Sequence, residues 1–238
     1  MRHFEEHKTR ALTTAMWAVA LLCVMTLASC SSGNGRKGKV IMSVTCYPYA
    51  VLHNGKYYFL RQQPTCDRIE ILCSSRLDNI TDGDMKTVWM PTDSTANRDI
   101  WVPELHRIGG KWYIYFEADD GNTDNHQIYV IENPSDDPMK GEFRMKGVLK
   151  TNDEWNFGIH PSTFVVGNRQ YLVWSGWPKR RSETETQCIY IAGMSNPWTV
   201  STRRVMISKP THEWERQWIN PDGTRSAYPI YVNENPQP

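Results

Sequence analysis

The chain has almost no net charge and contains no block of basic residues. Its 238 residues include 27 lysines and arginines against 26 aspartates and glutamates, which gives a formal net charge of +1. Proteins that bind nucleic acids concentrate lysine and arginine on one face or along one stripe. We therefore expect that no nucleic acid is a partner of this protein.

Cysteine is scarce, and none of the six cysteines has the spacing of a metal site. Histidine, aspartate and glutamate also form no cluster at ligand spacing, so we expect no metal and no other cofactor. Four cysteines lie in the body of the chain: Cys46, Cys66, Cys73 and Cys188. An oxidising compartment would permit a disulfide among them, and the sequence leaves its pairing open.

The chain has a single long apolar run, from about Ala11 to Leu27, with basic residues before it. This run is short for a permanent membrane-spanning helix. It ends in LASC, which resembles the lipobox of bacterial lipoproteins, with Cys30 as the lipidated residue. We interpret residues 1–29 as a lipoprotein signal peptide and residues 30–40 as a flexible tether. The protein is then secreted and anchored in a membrane, either in the periplasm or at the cell surface; an ordinary cleaved signal and an uncleaved anchor are the alternatives.

Helical periodicity is nearly absent after residue 30, and a repeated strand pattern takes its place. Three copies of one motif read YPYAVLHNGKYYFL, VPELHRIGGKWYIYF and HPSTFVVGNRQYLVW. In every copy a proline stands ten residues before a tyrosine, and successive tyrosines are fifty-five and fifty-eight residues apart. The pairs are Pro48 and Tyr58, Pro103 and Tyr113, and Pro161 and Tyr171. A constant offset at a nearly constant step predicts a repeated supersecondary unit.

Each copy contains two apolar runs joined by a Gly/Asn turn, which is typical of a β-hairpin. A further strand-like run follows each hairpin: RIEIL, QIYVI and CIYIA. These patterns predict four-stranded propeller blades, with each proline as the first residue of a strand. The segment YVNENPQP begins like a fourth copy. We therefore expect residues 41–238 to form an all-β, open and incomplete propeller of about three blades and the start of a fourth, and the chain to be a fragment of a longer protein.

The run WVPELHRIGGKWYIYF resembles a characteristic segment of glycoside hydrolase family 43. The motifs YLVWSGW, MSNPW and NENP follow in the order of that family, and the resemblance covers residues 46–238. It implies a five-bladed propeller, truncated here at its C-terminus. It also implies an oligo- or polysaccharide substrate, with hydrolysis of the α-L-arabinofuranosidase or β-xylosidase type that inverts the anomeric centre.

The resemblance also implies a catalytic constellation of three carboxyl groups: an Asp base, a Glu acid and an Asp that tunes the acid. Glu234, in NENP, stands at the position of the general acid. Tyr47 stands at the position of the base, and His160 at that of the tuning aspartate, so two carboxylates are lost. Tyr47 and His160 each precede their repeat tyrosine by eleven residues, and Val102 is the third equivalent. We therefore expect these positions to face one funnel.

With two carboxylates lost, three alternatives stay open. The protein hydrolyses glycosides with a changed constellation, binds sugar without hydrolysis, or is an unrelated all-β structural module. In the first case Glu234 is the acid, oriented by His160, and Tyr47 is a conceivable nucleophile, as in sialidases. The base then comes from the substrate or from one of three aspartates: Asp67, Asp119 and Asp120. We expect this chain to be inactive by itself.

Four further residues are candidates for substrate binding: Trp101, Glu104, His126 and Trp177. Trp101 either stacks on a sugar face or packs inside a blade, and Glu104 is either structural or a neighbour of the catalytic groups. His126 lies in the family-like strand NHQIYV. Trp177 stands beside a basic loop at the predicted rim of the funnel.

Overall fold

The computed structural model describes residues 40–42, 46–92, 94, 96–154, 156–179, 186–219 and 225–238. The proposed signal peptide, Cys30 and all of the proposed tether except residue 40 lie outside the described residues. The regular secondary structure of the described part is almost wholly β, which confirms the predicted all-β class. A search of the same residues finds no helix with the length and apolar character needed to cross a membrane.

The first two blades are four-stranded antiparallel sheets whose strands follow in chain order. The first blade contains β1 (Cys46–His53), β2 (Lys56–Gln62), β3 (Ile69–Ser74) and β4 (Asp84–Trp89). The second contains β5 (Arg98–Ile108), β6 (Lys111–Asp119), β7 (Gln127–Asn133) and β8 (Arg144–Val148). Short 3₁₀ helices, Leu77–Asp82 and Thr123–Asn125, lie in their connections. The two runs predicted as third strands are thus confirmed: RIEIL forms β3 of the first blade, and QIYVI forms β7 of the second.

The third blade belongs to a larger sheet. It is built on β9 (Ile159–Val166), β10 (Arg169–Gly176) and β11 (Thr186–Asn196), and two short strands, β12 (Thr199–Val200) and β13 (Val205–Ser208), pair with β11. After the 3₁₀ helix Glu213–Glu215 comes a hairpin of β14 (Arg216–Ile219) and β15 (Arg225–Val232). The strand β15 pairs in parallel with β11 at Thr186 and Gln187. Three blades are therefore present, and the fourth copy of the motif follows β15.

Two-residue turns fix the register of the first two hairpins. Asn54 and Gly55 both have positive φ, 49° and 73°, and so do Gly109 and Gly110, 55° and 83°. Positive φ at both central positions is the requirement of the type I′ turn, whose twist matches that of the flanking strands. The turn chemistry in HNGK and IGGK therefore sets which side chains of each hairpin lie opposite one another.

Each motif proline lies inside its strand at a β-bulge, so the prediction that it is the first strand residue is wrong. Cys46 pairs with Gln62 while Tyr49 pairs with Leu60, so β1 has one residue more than β2 between these pairs. The same two-against-one count recurs between Trp101 and Glu104 in β5 and between Ile159 and Ser162 in β9. A bulge leaves one residue out of the ladder, and a proline without an N–H is tolerated there.

The strand β6 lies between two hydrophobic cores because its two faces alternate. Trp112, Ile114 and Phe116 pack with side chains of the first blade, such as Leu60 and Ile71. The opposite face belongs to a second core, formed with the third blade. Its members include Tyr113, Tyr115, Leu172, Trp174 and Tyr190. Because successive strand residues point to opposite faces, the residue after Phe116 points toward the third blade.

Candidate active site

The three positions taken from the family motif meet at one place. The ring centroids of Tyr47 and His160 are 4.9 Å apart. The Nδ1 atom of His160 is 3.7 Å from Oε2 of Glu234, whose side chain is 42% exposed. Tyr47 is 40% exposed, whereas His160 is buried. The fold therefore joins β1, β9 and the segment after β15 in a small site with one buried and two half-exposed polar groups.

The bulges explain why these side chains converge. The residue before each proline has a left-handed backbone: φ is 49° at Tyr47, 43° at Val102, 50° at His160 and 58° at Asn235. Such a conformation costs non-glycine residues about 1–3 kcal/mol, and a β-branched residue like Val102 adopts it only rarely. A bulge re-aims the side chain that it displaces. Three of these positions are the bulges of β1, β5 and β9, and Asn235 repeats their left-handed conformation after β15.

Glu234 is held by its neighbours on the third blade. The amide of Gln187 in β11 donates to Glu234 Oε2 at 3.0 Å. The backbone N–H of Asn235 donates to Ser175 Oγ at 3.1 Å. These two bonds fix the carboxyl beside His160 and leave its outer part open to solvent, where a glycosidic oxygen could reach it.

A fourth group, Glu117, completes the site, and sequence reasoning passed over it. It lies on β6 opposite Trp101 and is fully buried. Its Oε2 atom accepts a hydrogen bond from the backbone N–H of His160, and its Oε1 atom is 3.8 Å from His160 Nε2. The run WVPELHRIGGKWYIYF ends one residue before it. The available signal was a carboxylate inside the apolar strand KWYIYFEAD, where an ionisable group is rare unless it has a partner.

Burial controls the protonation of these groups. It raises the pKa of Glu117 well above the usual range; the nearby Glu234 and Glu104 add to this, and the N–H of His160 opposes it. Burial also lowers the pKa of His160, against the opposing effect of Glu234 and Glu104. The pKa of Tyr47 is raised by burial and by Glu234 and Glu117. The surroundings therefore favour the uncharged form of the Tyr47 phenol, the His160 imidazole and the Glu117 carboxyl.

Glu104 lies on β5, three residues after Trp101, and is also buried. Its Oε2 atom is 3.0 Å from His106 Nε2, and its Oε1 atom accepts a hydrogen bond of 2.8 Å from the side-chain amide of Gln237. The ring of Tyr49 packs on His106 at 5.3 Å. Glu104 therefore joins β5 to the segment after β15, and a role in substrate binding stays a prediction.

Trp101 stacks on His126 with ring centroids 4.2 Å apart. His126 Nε2 is 3.1 Å from the carbonyl oxygen of Asp99, which can only accept, so Nε2 carries a proton. His126 Nδ1 is 2.9 Å from Asp119 Oδ2. Burial raises the pKa of Asp119 and lowers that of His126. Asp119 Oδ2 and His126 Nδ1 thus lie close together beneath one face of Trp101, and burial favours the uncharged form of each group.

The remaining candidates lie apart from Glu234 in the contacts described. Trp177 is buried and packs edge-on against Phe157 at 6.4 Å, so its part in substrate binding stays a prediction. Asp67 contacts Thr65 and Arg68. Asp120 accepts from the side-chain amide of Asn125. Neither aspartate has a described bond to the cluster.

Thiols and metals play no described part in the site. The four cysteines of the described residues are free thiols. Within this part of the chain, no three His, Cys, Asp or Glu side chains are grouped so as to hold a metal ion.

Comparisons with known proteins agree on one family. The model of glycosyl hydrolases family 43 matches residues 38–229. Alpha-L-arabinofuranosidase B of Pyricularia oryzae is 34% identical over 167 residues, which are 68% of this chain and 34% of that protein. The extracellular exo-alpha-(1->5)-L-arabinofuranosidase of Streptomyces chartreusis is 34% identical over 165 residues, 68% of this chain and 49% of that protein. The chain thus spans between a third and a half of the length of these relatives.

Solved structures agree in fold. The crystal structure of an alpha-L-arabinofuranosidase from Lactobacillus brevis matches with a TM-score of 0.69 and 33% identity, over 80% of this chain and 58% of that chain. An endo-arabinase from Bacteroides thetaiotaomicron matches with a TM-score of 0.60 over 78% of this chain and 64% of that one. At 16% identity, the second likeness concerns the fold alone.

Proposed function

Because this chain belongs to glycosyl hydrolase family 43, we propose that it acts on O-glycosyl bonds of plant-type polysaccharides. The bonds cleaved are those of α-L-arabinofuranosyl or β-xylosyl units, at the opening that Tyr47, His160 and Glu234 share. The proposal rests on one observation: residues from β1, β9 and the segment after β15 meet. The ring centroids of Tyr47 and His160 are 4.9 Å apart, and His160 Nδ1 is 3.7 Å from Glu234 Oε2. Two of them sit on equivalent bulges, as expected for a propeller that aims one residue of each blade at a common axis.

Glu234 is the general acid of this proposal. A general acid must reach the leaving oxygen of the substrate, and Glu234 is the half-exposed carboxyl of the cluster. The bond from Gln187 holds one of its oxygens, so the other is free to present a proton to the glycosidic oxygen. In an inverting reaction this proton leaves with the alcohol while water attacks the anomeric carbon from the opposite side.

The attack of water is the weak step. Inverting hydrolases use a second, ionised carboxylate about 6.5–9.5 Å from the acid. Tyr47 occupies the position of that base in the family motif, and its raised pKa keeps the phenol neutral, so it does not take a proton from water. His160 does not replace the base either. Its Nδ1 atom is only 3.7 Å from Glu234 Oε2, so a sugar and a water molecule do not fit between the imidazole and the acid. General-base catalysis contributes about 10²–10⁴-fold, so we expect turnover to be slow or absent.

The neutral phenol of Tyr47 also favours a second candidate, in which the site binds the same sugars and does not hydrolyse them. Tyrosine at this position adds a flat ring beside His160 and a hydroxyl donor, both of which suit a sugar. The two candidates share the binding site and differ only in turnover.

Aryl α-L-arabinofuranosides and aryl β-xylosides separate the two candidates. Turnover that is lost in Glu234→Gln supports hydrolysis. Absence of turnover together with calorimetric binding of arabino-oligosaccharides supports a binding protein. If neither turnover nor binding is observed, both candidates are wrong. Turnover that survives Glu234→Gln would overturn the assignment of Glu234 as the acid.

The N-terminal segment carries a separate proposal, that the protein is anchored through a lipid on Cys30. The relatives from Streptomyces are named extracellular enzymes, which supports secretion, and the motif LASC supports lipidation at its cysteine. Metabolic labelling with an alkynyl fatty acid in a bacterial host tests this. We expect label on the wild type and on Cys23→Ala, and none on Cys30→Ala; label that persists on Cys30→Ala would overturn the proposal.

A further inference from the structure

Glu117 and Ser175 occupy equivalent positions on consecutive blades. Glu117 lies opposite Trp101, and Ser175 lies opposite Ile159, in each case across from the residue before the bulge. Each side chain accepts a hydrogen bond from the backbone N–H that precedes the next motif proline: His160 for Glu117, and Asn235 for Ser175. The second strand of one blade therefore braces the bulge of the next copy of the motif.

Bracing needs only one acceptor atom, and Ser175 supplies it with a hydroxyl. Glu117 has a second oxygen, Oε1, which is buried and has no hydrogen-bond partner among the described residues. Burying an ionisable carboxyl is costly unless it is neutralised or paired. The extra oxygen therefore needs an explanation beyond bracing, and the group in front of it is His160 Nε2, at 3.8 Å.

His160 stands between a buried and a half-exposed carboxyl. Its Nε2 atom faces Glu117 Oε1, and its Nδ1 atom faces Glu234 Oε2 at 3.7 Å. Nδ1, like Glu117 Oε1, is buried without a hydrogen-bond partner in the described part of the chain. Both distances exceed a hydrogen bond by a few tenths of an ångström, and hydrogen bonds between catalytic groups are often long in a free enzyme.

We propose that Glu117 is a positioning residue: its Oε1–H donates to His160 Nε2 and fixes the tautomer whose Nδ1–H faces Glu234. The position of the proton follows from the bonds, because Oε2 already accepts the N–H of His160 and Oε1 is left to carry it. In this tautomer the imidazole stabilises the carboxylate that Glu234 becomes after it has given up its proton. That role of Glu234 rests on the proposed function; the tautomer does not.

The tautomer depends on pH. The charged and titratable groups that act on the Glu117–His160 pair are Glu104, Glu234 and His126, and Tyr47 stacks on the imidazole. When the pH rises through the raised pKa of Glu117, its carboxylate becomes an acceptor. Nε2 of His160 then carries the proton, and Nδ1 turns into an acceptor that faces Glu234.

Long-range ¹H–¹⁵N spectra of the full chain with ¹⁵N-labelled histidine report the tautomer directly. His160→Gln identifies the His160 signals among the seven histidines. In Glu117→Gln the carbonyl still accepts the N–H of His160, and the amide N–H donates to Nε2 in place of the carboxyl proton. We expect the Nδ1–H tautomer in the wild type at neutral pH and in Glu117→Gln at both neutral and alkaline pH, and a change to Nε2–H in the wild type alone at alkaline pH.

Glu117→Ser and Ser175→Ala are matched variants that separate positioning from bracing. Glu117→Ser removes the donor to Nε2, so the Nδ1–H preference should be lost. Ser175→Ala removes a brace of the same kind and should leave the tautomer of His160 unchanged. An Nε2–H tautomer in the wild type at neutral pH, or a tautomer that differs between wild type and Glu117→Gln there, would overturn the proposal. These spectra need no substrate, so their outcome is independent of whether the chain hydrolyses or binds sugar.

Discussion

The aromatic ring of Tyr47 lies over the imidazole of His160, with centroids 4.9 Å apart and the planes tilted by 39°. The two residues belong to the first and third blades, and both have a left-handed backbone just before a proline. One local conformation, repeated along the chain, thus brings distant segments to one opening. Glu234, which reaches the same opening, directly precedes Asn235. Asn235 is the fourth residue that has a left-handed backbone just before a proline.

Replacing Glu234 by glutamine should remove any turnover of aryl arabinofuranosides or xylosides. The amide keeps the shape of the carboxyl but has no proton to give to the leaving oxygen, so we expect a loss of at least about 10²-fold in kcat. Steady-state rates on an activated and an unactivated aryl leaving group measure this loss.

Glu142→Gln is the control for this loss, because Glu142 is an exposed carboxylate that contacts only Arg144 in the described bonds. We expect its rate to equal that of the wild type. A loss in Glu234→Gln that is no larger than in the control would remove Glu234 from the mechanism.

Tyr47→Asp should raise the rate of hydrolysis. Aspartate has a reference pKa near ~3.9 and is ionised at neutral pH, so it can take a proton from water as Tyr47 cannot. Aspartate also tolerates the positive φ of this position better than most residues do. We expect a gain of about 10²-fold or more in kcat, measured on aryl glycosides.

The matched variant for this gain is Tyr47→Asn, which has nearly the shape of aspartate and no charge. It should show no gain over the wild type. Equal rates in the two variants would mean that removal of the tyrosine ring, rather than a restored base, changes the rate.

Glu117→Gln should stabilise the folded protein at neutral and alkaline pH. The pKa of Glu117 is raised on folding, so the native state binds more protons than the unfolded state. Its stability therefore falls as pH rises from the unfolded pKa toward the native one, by about 1.4 kcal/mol per pH unit at most. Glutamine does not titrate, and the variant escapes this loss.

Denaturant titrations of the wild type and Glu117→Gln at acidic and alkaline pH measure the effect. The difference in unfolding free energy should be small below the unfolded pKa and should grow with pH in favour of the variant. A difference that shrinks as pH rises would show that Glu117 is ionised in the folded protein.

Asp119→Asn and Asp119→Ala should differ sharply in stability. Asp119 Oδ1 accepts the N–H of Gly121, and Oδ2 lies 2.9 Å from His126 Nδ1. An asparagine keeps the acceptor for the Gly121 N–H and places an uncharged amide beside Nδ1. Alanine removes this acceptor and the polar group beside the buried imidazole, so we expect it to cost about 1–3 kcal/mol more than asparagine. Chemical unfolding of both variants measures this, and equal losses would mean that Asp119 and His126 form an ion pair.

The repeat spacing was enough to predict the blades and the meeting of Tyr47 with His160, since equivalent positions of a propeller face one axis. It was not enough to place the prolines, because a bulge depends on how two strands register and leaves the sequence offset unchanged. Glu117 escaped prediction for the same reason: its neighbour His160 lies on another blade, forty-three residues away along the chain. The contact of Glu104 with Gln237 joins residues even further apart and follows only from the fold.

Titration of the ¹⁵N-labelled protein with an arabinofuranosyl disaccharide tests the shared sugar site most directly, whether or not turnover occurs. We predict that the ring signals of His160 shift with saturation, and that Glu234→Gln weakens this binding while Glu142→Gln leaves it unchanged. Saturable binding that leaves the His160 signals unmoved would show that the sugar binds elsewhere and that Tyr47, His160 and Glu234 form no sugar site.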